Sequence, residues 1–242
     1  MKKIFTFILT FFLATASLSC SSSMFHNSRN SKNDETVKEF RYLAFGDSIS
    51  SLGKLADISD SYPCVVADIL NCNVSNKAID GSSLVYYDGR PCIVNDVVNV
   101  SNGVGKYDII SVTGGTNDRS LNSPLGDIDD CTNETIYGSL NVIANTLKTN
   151  YPDAFIFFIT PIKNKLSEVE CANGYNLEDV SNAIKEVASI YHIPVLDLYN
   201  TSQFETVDCG MNSIDCDGTH PTAEFIKKYM APQIATFIKK NY

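Results

Sequence analysis

Histidine is scarce in this chain, with three in all, at positions 26, 192 and 220. Chemistry that needs an imidazole therefore has very few candidates. Basic residues are also outnumbered, 19 Lys and Arg against 28 Asp and Glu, for a formal charge of -9. Paired lysines occur only at the N-terminus and in the last helical stretch. Neutralising a phosphate backbone needs a concentrated basic surface, so nucleic-acid binding is excluded. No CxxC pair or Cys/His cluster occurs, which argues against a zinc site, and no cofactor is implied. No internal repeat and no second linker divides the body. What is present is ordinary for a folding chain: 242 residues, 44% of them apolar and 19% charged. That excludes a wholly disordered or collagen-like chain and favours a single domain over two.

Lys2 and Lys3 precede an apolar run from Ile4 to Ala14, and small residues follow. This is the layout of a secretory signal, expected over residues 1–19. The run falls short of the roughly 20 apolar residues that a membrane span needs. Ala14-Thr15-Ala16 would suit ordinary signal peptidase, leaving a freely secreted protein. Leu18-Ser19-Cys20 followed by three serines is more similar to a bacterial lipoprotein cleavage site, with Cys20 lipidated and the membrane as partner, although Ser17 stands where a large aliphatic residue is usual. Residues 20–39 are polar and cannot bury enough surface to offset their ordering entropy, so they are expected to form a flexible tether that includes His26. Eight cysteines in an exported chain invite disulfides. With Cys20 lipidated seven remain, and at least one must stay unpaired. Free or partly paired thiols are the expectation, with Cys209 to Cys216 the one short bridge considered.

From residue 40 onward, short apolar runs alternate with helix-period segments. Tyr42 to Phe45, Ile109 to Val112, Ala154 to Ile159 and Val195 to Leu198 are rich in β-branched or aromatic residues, as buried parallel strands are. A weaker strand is expected over Val74 to Ala78. Leu177, Val180, Ile184, Val187 and Tyr191 recur at helical spacing behind an N-cap at Asn176. Ile136, Leu140, Ile143 and Leu147 do the same. Tyr62 to Leu70 is a shorter helix, and a last helix from Phe225 is expected to be interrupted at Pro232. Strand and helix in alternation predict an α/β fold with right-handed crossovers, a doubly wound sheet of about five parallel strands with helices on both faces, over residues 40–242.

In such a sheet the ligand crevice lies beyond the carboxyl ends of the strands. Four polar, glycine-bearing turns can meet there: Gly46-Asp47-Ser48 after the first strand, Asp80-Gly81-Ser82 after the weak second one, Gly114-Gly115-Thr116-Asn117-Asp118 after the third, and Asp217-Gly218-Thr219-His220 before the last helix. These blocks, in this order, resemble the GDSL-type, or SGNH, hydrolases, a family of esterases and lipases with a three-layer flavodoxin-like fold. The resemblance covers residue 41 to the C-terminus. GDS matches at 46–48, a lone glycine at Gly81, GTND at 115–118 and DGTH at 217–220, with Ile49 where the family name has leucine.

The chemistry of the residues agrees with what the resemblance implies. A serine hydroxyl needs a base within hydrogen-bond reach to act as a nucleophile. Ser48 is the candidate nucleophile and His220 the base, since an imidazole can take and return a proton near neutral pH. Asp217 can hold the other ring nitrogen, and Asp215 is an alternative whose spacing fits less well. The backbone N–H groups of Ser48 and Gly81 and the side-chain amide of Asn117 suit an oxyanion hole. Asp47 and Asp118 are read as fixing turn hydrogen bonds. Tyr86, Tyr87 and Arg90 are candidates to line a substrate pocket, and His192 is read as a packing or surface residue. The expected function is an exported serine esterase acting on an O-acylated carbohydrate or another small ester. A lysophospholipase, a thioesterase and an acyltransferase would use the same residues. A carbohydrate-binding protein on a disabled scaffold is the alternative from another class, and intact Ser48, Asn117, Asp217 and His220 argue against it. A flavin protein of similar fold is the weakest reading, because the first loop lacks the several donors of a phosphate site.

Overall fold

The computed structural model describes residues 40–102 and 105–242. The expected leader, Cys20, His26 and the tether lie outside the described residues. Five strands form one all-parallel sheet in the order β2-β1-β3-β4-β5, where β1 is Arg41–Phe45, β2 Asn73–Asn76, β3 Ile109–Thr113, β4 Phe155–Ile159 and β5 Val195–Leu196. Leu43 lies opposite Ser75 on one side and Ile110 on the other, and Ile110 opposite Ile156. The three inner strands are mostly apolar because both faces are covered, with Ser111 and Thr113 the buried polar residues of β3 and Arg41 at the exposed start of β1.

Alternate residues of each strand feed opposite layers. Leu43, Phe45, Ile110, Val112, Ile156 and Phe158 face one core. It is closed by α2 (Ile93–Ser101), α4 (Ile136–Asn150) and α5 (Leu177–Ile190). Tyr42, Ala44, Ile109, Phe157 and Ile159 face the other, under α1 (Tyr62–Leu70) and the C-terminal helices. Each fully buried aliphatic or aromatic side chain contributes roughly 1.5–3 kcal/mol. Two short helices, α3 (Thr116–Leu121) and α6 (Leu198–Thr201), follow β3 and β5 directly. The expected capping of α5 is present, with Asn176 and Asp179 bonding each other's backbone N–H in a capping box.

Some boundaries differ from the sequence expectation. The last strand stops at Leu196, because Asp197 accepts from the N–H of Asn200 and starts α6. The second strand starts at Asn73 and ends at Asn76, although the N–H of Lys77 still reaches the carbonyl of Ala44 at 2.8 Å. The helix α2 has no counterpart in the strand-and-helix reading, since its run of valines is β-branched. Tertiary burial of Ile93, Val94 and Val97 outweighs that propensity. Pro232 does not interrupt the last helix. The chain runs from α7 (Ala223–Phe225) through one π-helical turn, Ile226–Met230, into α8 (Ala231–Asn241). Pro232 falls within the first residues of α8, and the carbonyl of Lys228, which would take its missing N–H in an α-helix, lies inside the widened turn. No helix among the described residues is long and apolar enough to cross a membrane.

Candidate active site

Gly46 leaves β1 at a point where a Cβ would lie 2.2 Å from Ser50 Oγ, so only glycine fits there. The turn that follows is wound around Asp47. Its carbonyl accepts from the N–H groups of Ser50 and Ser51, both at 3.0 Å, and its Oδ1 accepts from that of Ile49 at 2.9 Å. Ser48 projects from this turn half-buried, and its own N–H makes no hydrogen bond among the described residues. The second turn is tied to the first. Asp80 Oδ1 accepts from the Ser51 hydroxyl and from the N–H of Gly53 at 3.1 Å, while the N–H of Ile79 reaches the carbonyl of Gly46 at 3.1 Å. Gly81 then takes a φ of +77°, and its N–H is likewise uncommitted among the described residues.

The third turn enters α3 through Gly115. Asn117 Nδ2 donates to the carbonyl of Ser82 at 2.9 Å, which sets the amide beside the Gly81 turn. Asp118 is fully buried and accepts from the N–H groups of Leu84 at 2.8 Å and Val85 at 3.0 Å. The Asp47 and Asp118 carboxylates thus both hold loops, as their turn positions suggest.

The fourth turn carries the histidine. Asp217 Oδ1 accepts from the N–H groups of Thr219 and His220, each at 2.9 Å, and this folds the turn back so that Oδ2 lies 2.8 Å from His220 Nδ1. His220 Nε2 lies 2.9 Å from Ser48 Oγ. Burial opposes ionisation of Asp217, but bonds from the backbone and ring of His220 and from Thr219 outweigh it and pull the carboxyl down to about 2. An ionised Asp217 can only accept, so Nδ1 carries a proton and, in the neutral ring, Nε2 is left to accept from the serine hydroxyl. At Asp47 and Asp118 burial outweighs the hydrogen bonds instead, and the carboxyls are raised to about 7 and about 6.

Other expectations meet different outcomes. Asp215 is exposed and makes no contact with the His220 ring, which Asp217 takes. Tyr87 donates to Ser123 Oγ at 3.0 Å, Tyr86 is 41% exposed and Arg90 is exposed. His192 is an exposed, left-handed residue ending α5. The Cys209 to Cys216 bridge is not formed, and all seven described cysteines are free. Cys216 Sγ is engaged inside the catalytic-type turn instead, donating to the carbonyl of His220 at 3.2 Å and accepting from the N–H of Gly218 at 3.3 Å. Sequence reasoning placed Asp80 in one of the four turns and Cys216 at the entry to the last, but not the bonds they make; it missed Gly53, which carried no signal of its own.

The profile of the GDSL-like lipase/acylhydrolase family matches residues 44–225, a span that holds all four turns. The chain belongs to this family. As a GDSL-like acylhydrolase it is a member of a group of ester hydrolases, and its parallel sheet is the family's α/β fold. A Lactobacillus plantarum protein is similar at 27% identity, with 85% of this chain and 99% of that one covered and a TM-score of 0.67. A possible lipase from Chitinophaga pinensis aligns at 23% identity over 84% and 98%, with a TM-score of 0.64. A carbohydrate acetylesterase from Sinorhizobium meliloti aligns at 15% identity over 84% and 100%, with a TM-score of 0.60. A comparison with curated proteins gives no match.

Proposed function

We propose that this GDSL-like acylhydrolase is an exported serine esterase that removes an acyl group from a carbohydrate or a similar small ester through an acyl-serine intermediate. The observation that carries the reading is the continuous chain from Ser48 Oγ to His220 Nε2 at 2.9 Å and from Nδ1 to Asp217 Oδ2 at 2.8 Å. Ser48 Oγ attacks the ester carbonyl carbon while His220 Nε2 takes its proton. The oxyanion is held by the uncommitted N–H groups of Ser48 and Gly81 and by the second N–H of the Asn117 amide. Collapse breaks the bond to the alcohol oxygen, which takes the proton from Nε2. Water then repeats the sequence on the acyl-serine, with His220 again as base and then acid. Asp217 keeps the ring oriented and stabilises the imidazolium without being protonated. The carbohydrate reading is supported by the fold shared with a carbohydrate acetylesterase and with a carbohydrate esterase family 2 enzyme.

The test is a panel of chromogenic esters and acetylated glycans with wild type and Ser48→Ala. The substitution should lower kcat by on the order of 10⁴-fold with an unchanged melting temperature. A fluorophosphonate that labels active protein at a residue other than Ser48 would overturn the assignment. Export and anchoring form part of the same proposal, with Cys20 lipidated and residues 20–39 linking it to the domain. Mass spectrometry of protein from the native host's membranes should find a lipidated N-terminal Cys20. A lipid-free N-terminus at Ser17 would sink it.

A further inference from the structure

A cavity of about 520 Å³ opens beside His220, between the loop Lys54–Asp60 and the turn Asp215–Ala223. Its size lies within the roughly 300–1,000 Å³ of small-molecule sites. Gly53, next in the chain to the lining residue Lys54, approaches the ring edge that carries Nε2. A Cβ built on Gly53 would lie 3.5 Å from His220 Cδ2, the ring carbon bonded to Nε2, so the loop that forms one wall starts at that edge.

The charges of the lining are distributed unevenly. Asp60 is paired with Lys227 at 2.5 Å and Asp217 with His220 at 2.8 Å. Asp215 and Lys54 also line the cavity, and neither side-chain charge has an ion-pair or hydrogen-bond partner among the described residues. Leu55, Pro221 and Ala223 add apolar surface between them, and Thr222 lies beside Pro221.

We propose that this cavity receives the alcohol half of the ester, and that the alcohol is a neutral polyol such as a sugar unit gripped by Asp215 and Lys54. The inference rests on the reading of Ser48 and His220 given above. His220 Nε2 must protonate the departing alcohol oxygen, so the alcohol leaves on the side of that nitrogen. An alkyl chain would cover Leu55, Pro221 and Ala223 but give no hydrogen bond to the exposed Asp215 carboxylate or Lys54 ammonium. A cationic alcohol would meet Lys54 and an anionic one Asp215. A neutral polyol satisfies both, since its hydroxyls donate to Asp215 and accept from Lys54, while its C–H face lies on Leu55 and Pro221.

The experiment compares two acetate esters, an acetylated monosaccharide and 4-nitrophenyl acetate, which share the acyl group and differ in the alcohol. Wild type, Asp215→Asn and Lys54→Met are measured on both, with melting temperature as the check on folding. Each substitution should raise KM for the sugar ester more than for the aryl ester, so that the sugar-to-aryl ratio of kcat/KM falls about tenfold, as loss of a hydrogen bond to a charged group implies. Three results would overturn the assignment: an unchanged ratio in both variants, a wild type that cleaves the aryl but not the sugar ester, or a preference for acetylcholine that Asp215→Asn abolishes. Each leaves the Ser48 reading intact provided that Ser48→Ala still abolishes aryl-ester cleavage. A wild type inert towards both esters would remove the parent reading and this inference together.

Discussion

Asn117 carries two N–H groups on one amide, and among the described residues only one is spent, on the carbonyl of Ser82 at 2.9 Å. The first bond orients the second. In the proposed mechanism the free N–H meets the oxyanion only as charge develops, so Asn117→Ala should lower kcat by about 10²- to 10³-fold and leave KM nearly unchanged. Steady-state kinetics on a small chromogenic ester checks this, and an unchanged kcat removes Asn117 from the site. Cys216 is a second residue whose side chain serves backbone geometry. Its thiol bridges the carbonyl of His220 and the N–H of Gly218, two groups of the turn that positions the imidazole. Burial pushes this thiol up, so it stays protonated and able to donate. A disulfide to Cys209 would remove the S–H that donates to the carbonyl of His220.

At the scale of elements, the site is four turns braced against one another rather than four independent loops. Asp80 joins the second turn to the first through Ser51 and Gly53, and Asp118 joins the third to the loop after the second through Leu84 and Val85. Gly53 shows how little room this bracing leaves. Its φ is +51°, and a Cβ there would lie 2.4 Å from the carbonyl oxygen of Ser48. Gly89 has a similar φ of +72° but nothing within 4 Å of that point. Gly53→Ala and Gly89→Ala should therefore both lose about 1 kcal/mol or more to backbone strain. Only Gly53→Ala should also lower kcat, by on the order of 10²-fold, because it displaces the Ser48 turn against His220. Thermal melts and kcat of the two variants side by side test this, and equal kcat values would show that the turn absorbs the displacement.

For the whole molecule, the buried carboxylates set how stability follows pH. Asp47 is fully buried and raised to about 7, whereas an unfolded aspartate ionises near 3.9. Between about pH 4 and pH 7 the unfolded chain therefore binds fewer protons at this position than the folded one. Stability falls as pH rises through that window and levels off above it. Asp118, raised to about 6, acts in the same direction. Asp217 acts in the opposite one: depressed to about 2, its contribution is present above the unfolded value and lost as pH falls below about 4. Asn at position 47 keeps an acceptor for the N–H of Ile49 and cannot ionise. Urea unfolding from pH 5 to 8 should show Asp47→Asn gaining on wild type as pH rises. A gap that is constant across this range would show that Asp47 does not titrate within it.

Several features of this protein are local and can be read from the residue order alone. Buried parallel strands are short apolar runs because both faces are covered, so β1, β3 and β4 are legible, as is α5 from its period and its Asn176 cap. The family blocks are legible for the same reason, since each is a turn whose glycines and hydroxyls are dictated within a few residues. The pairing of Asp217 with His220 is also local, three residues apart within one turn. What the sequence cannot carry is the meeting of groups far apart along the chain. Ser48 and His220 are 172 residues apart, and their contact exists because the fold sets β1 inside the sheet, between β2 and β3, and brings the last turn over its carboxyl end. The roles of Asp80 and Gly53 depend on the same packing, as does the helical state of α2, whose valines favour a strand until the core accepts them. The free Cys216 thiol and the unpaired Asp215 and Lys54 charges beside His220 likewise follow from which groups, among the described residues, tertiary folding brings within bonding distance and which it does not.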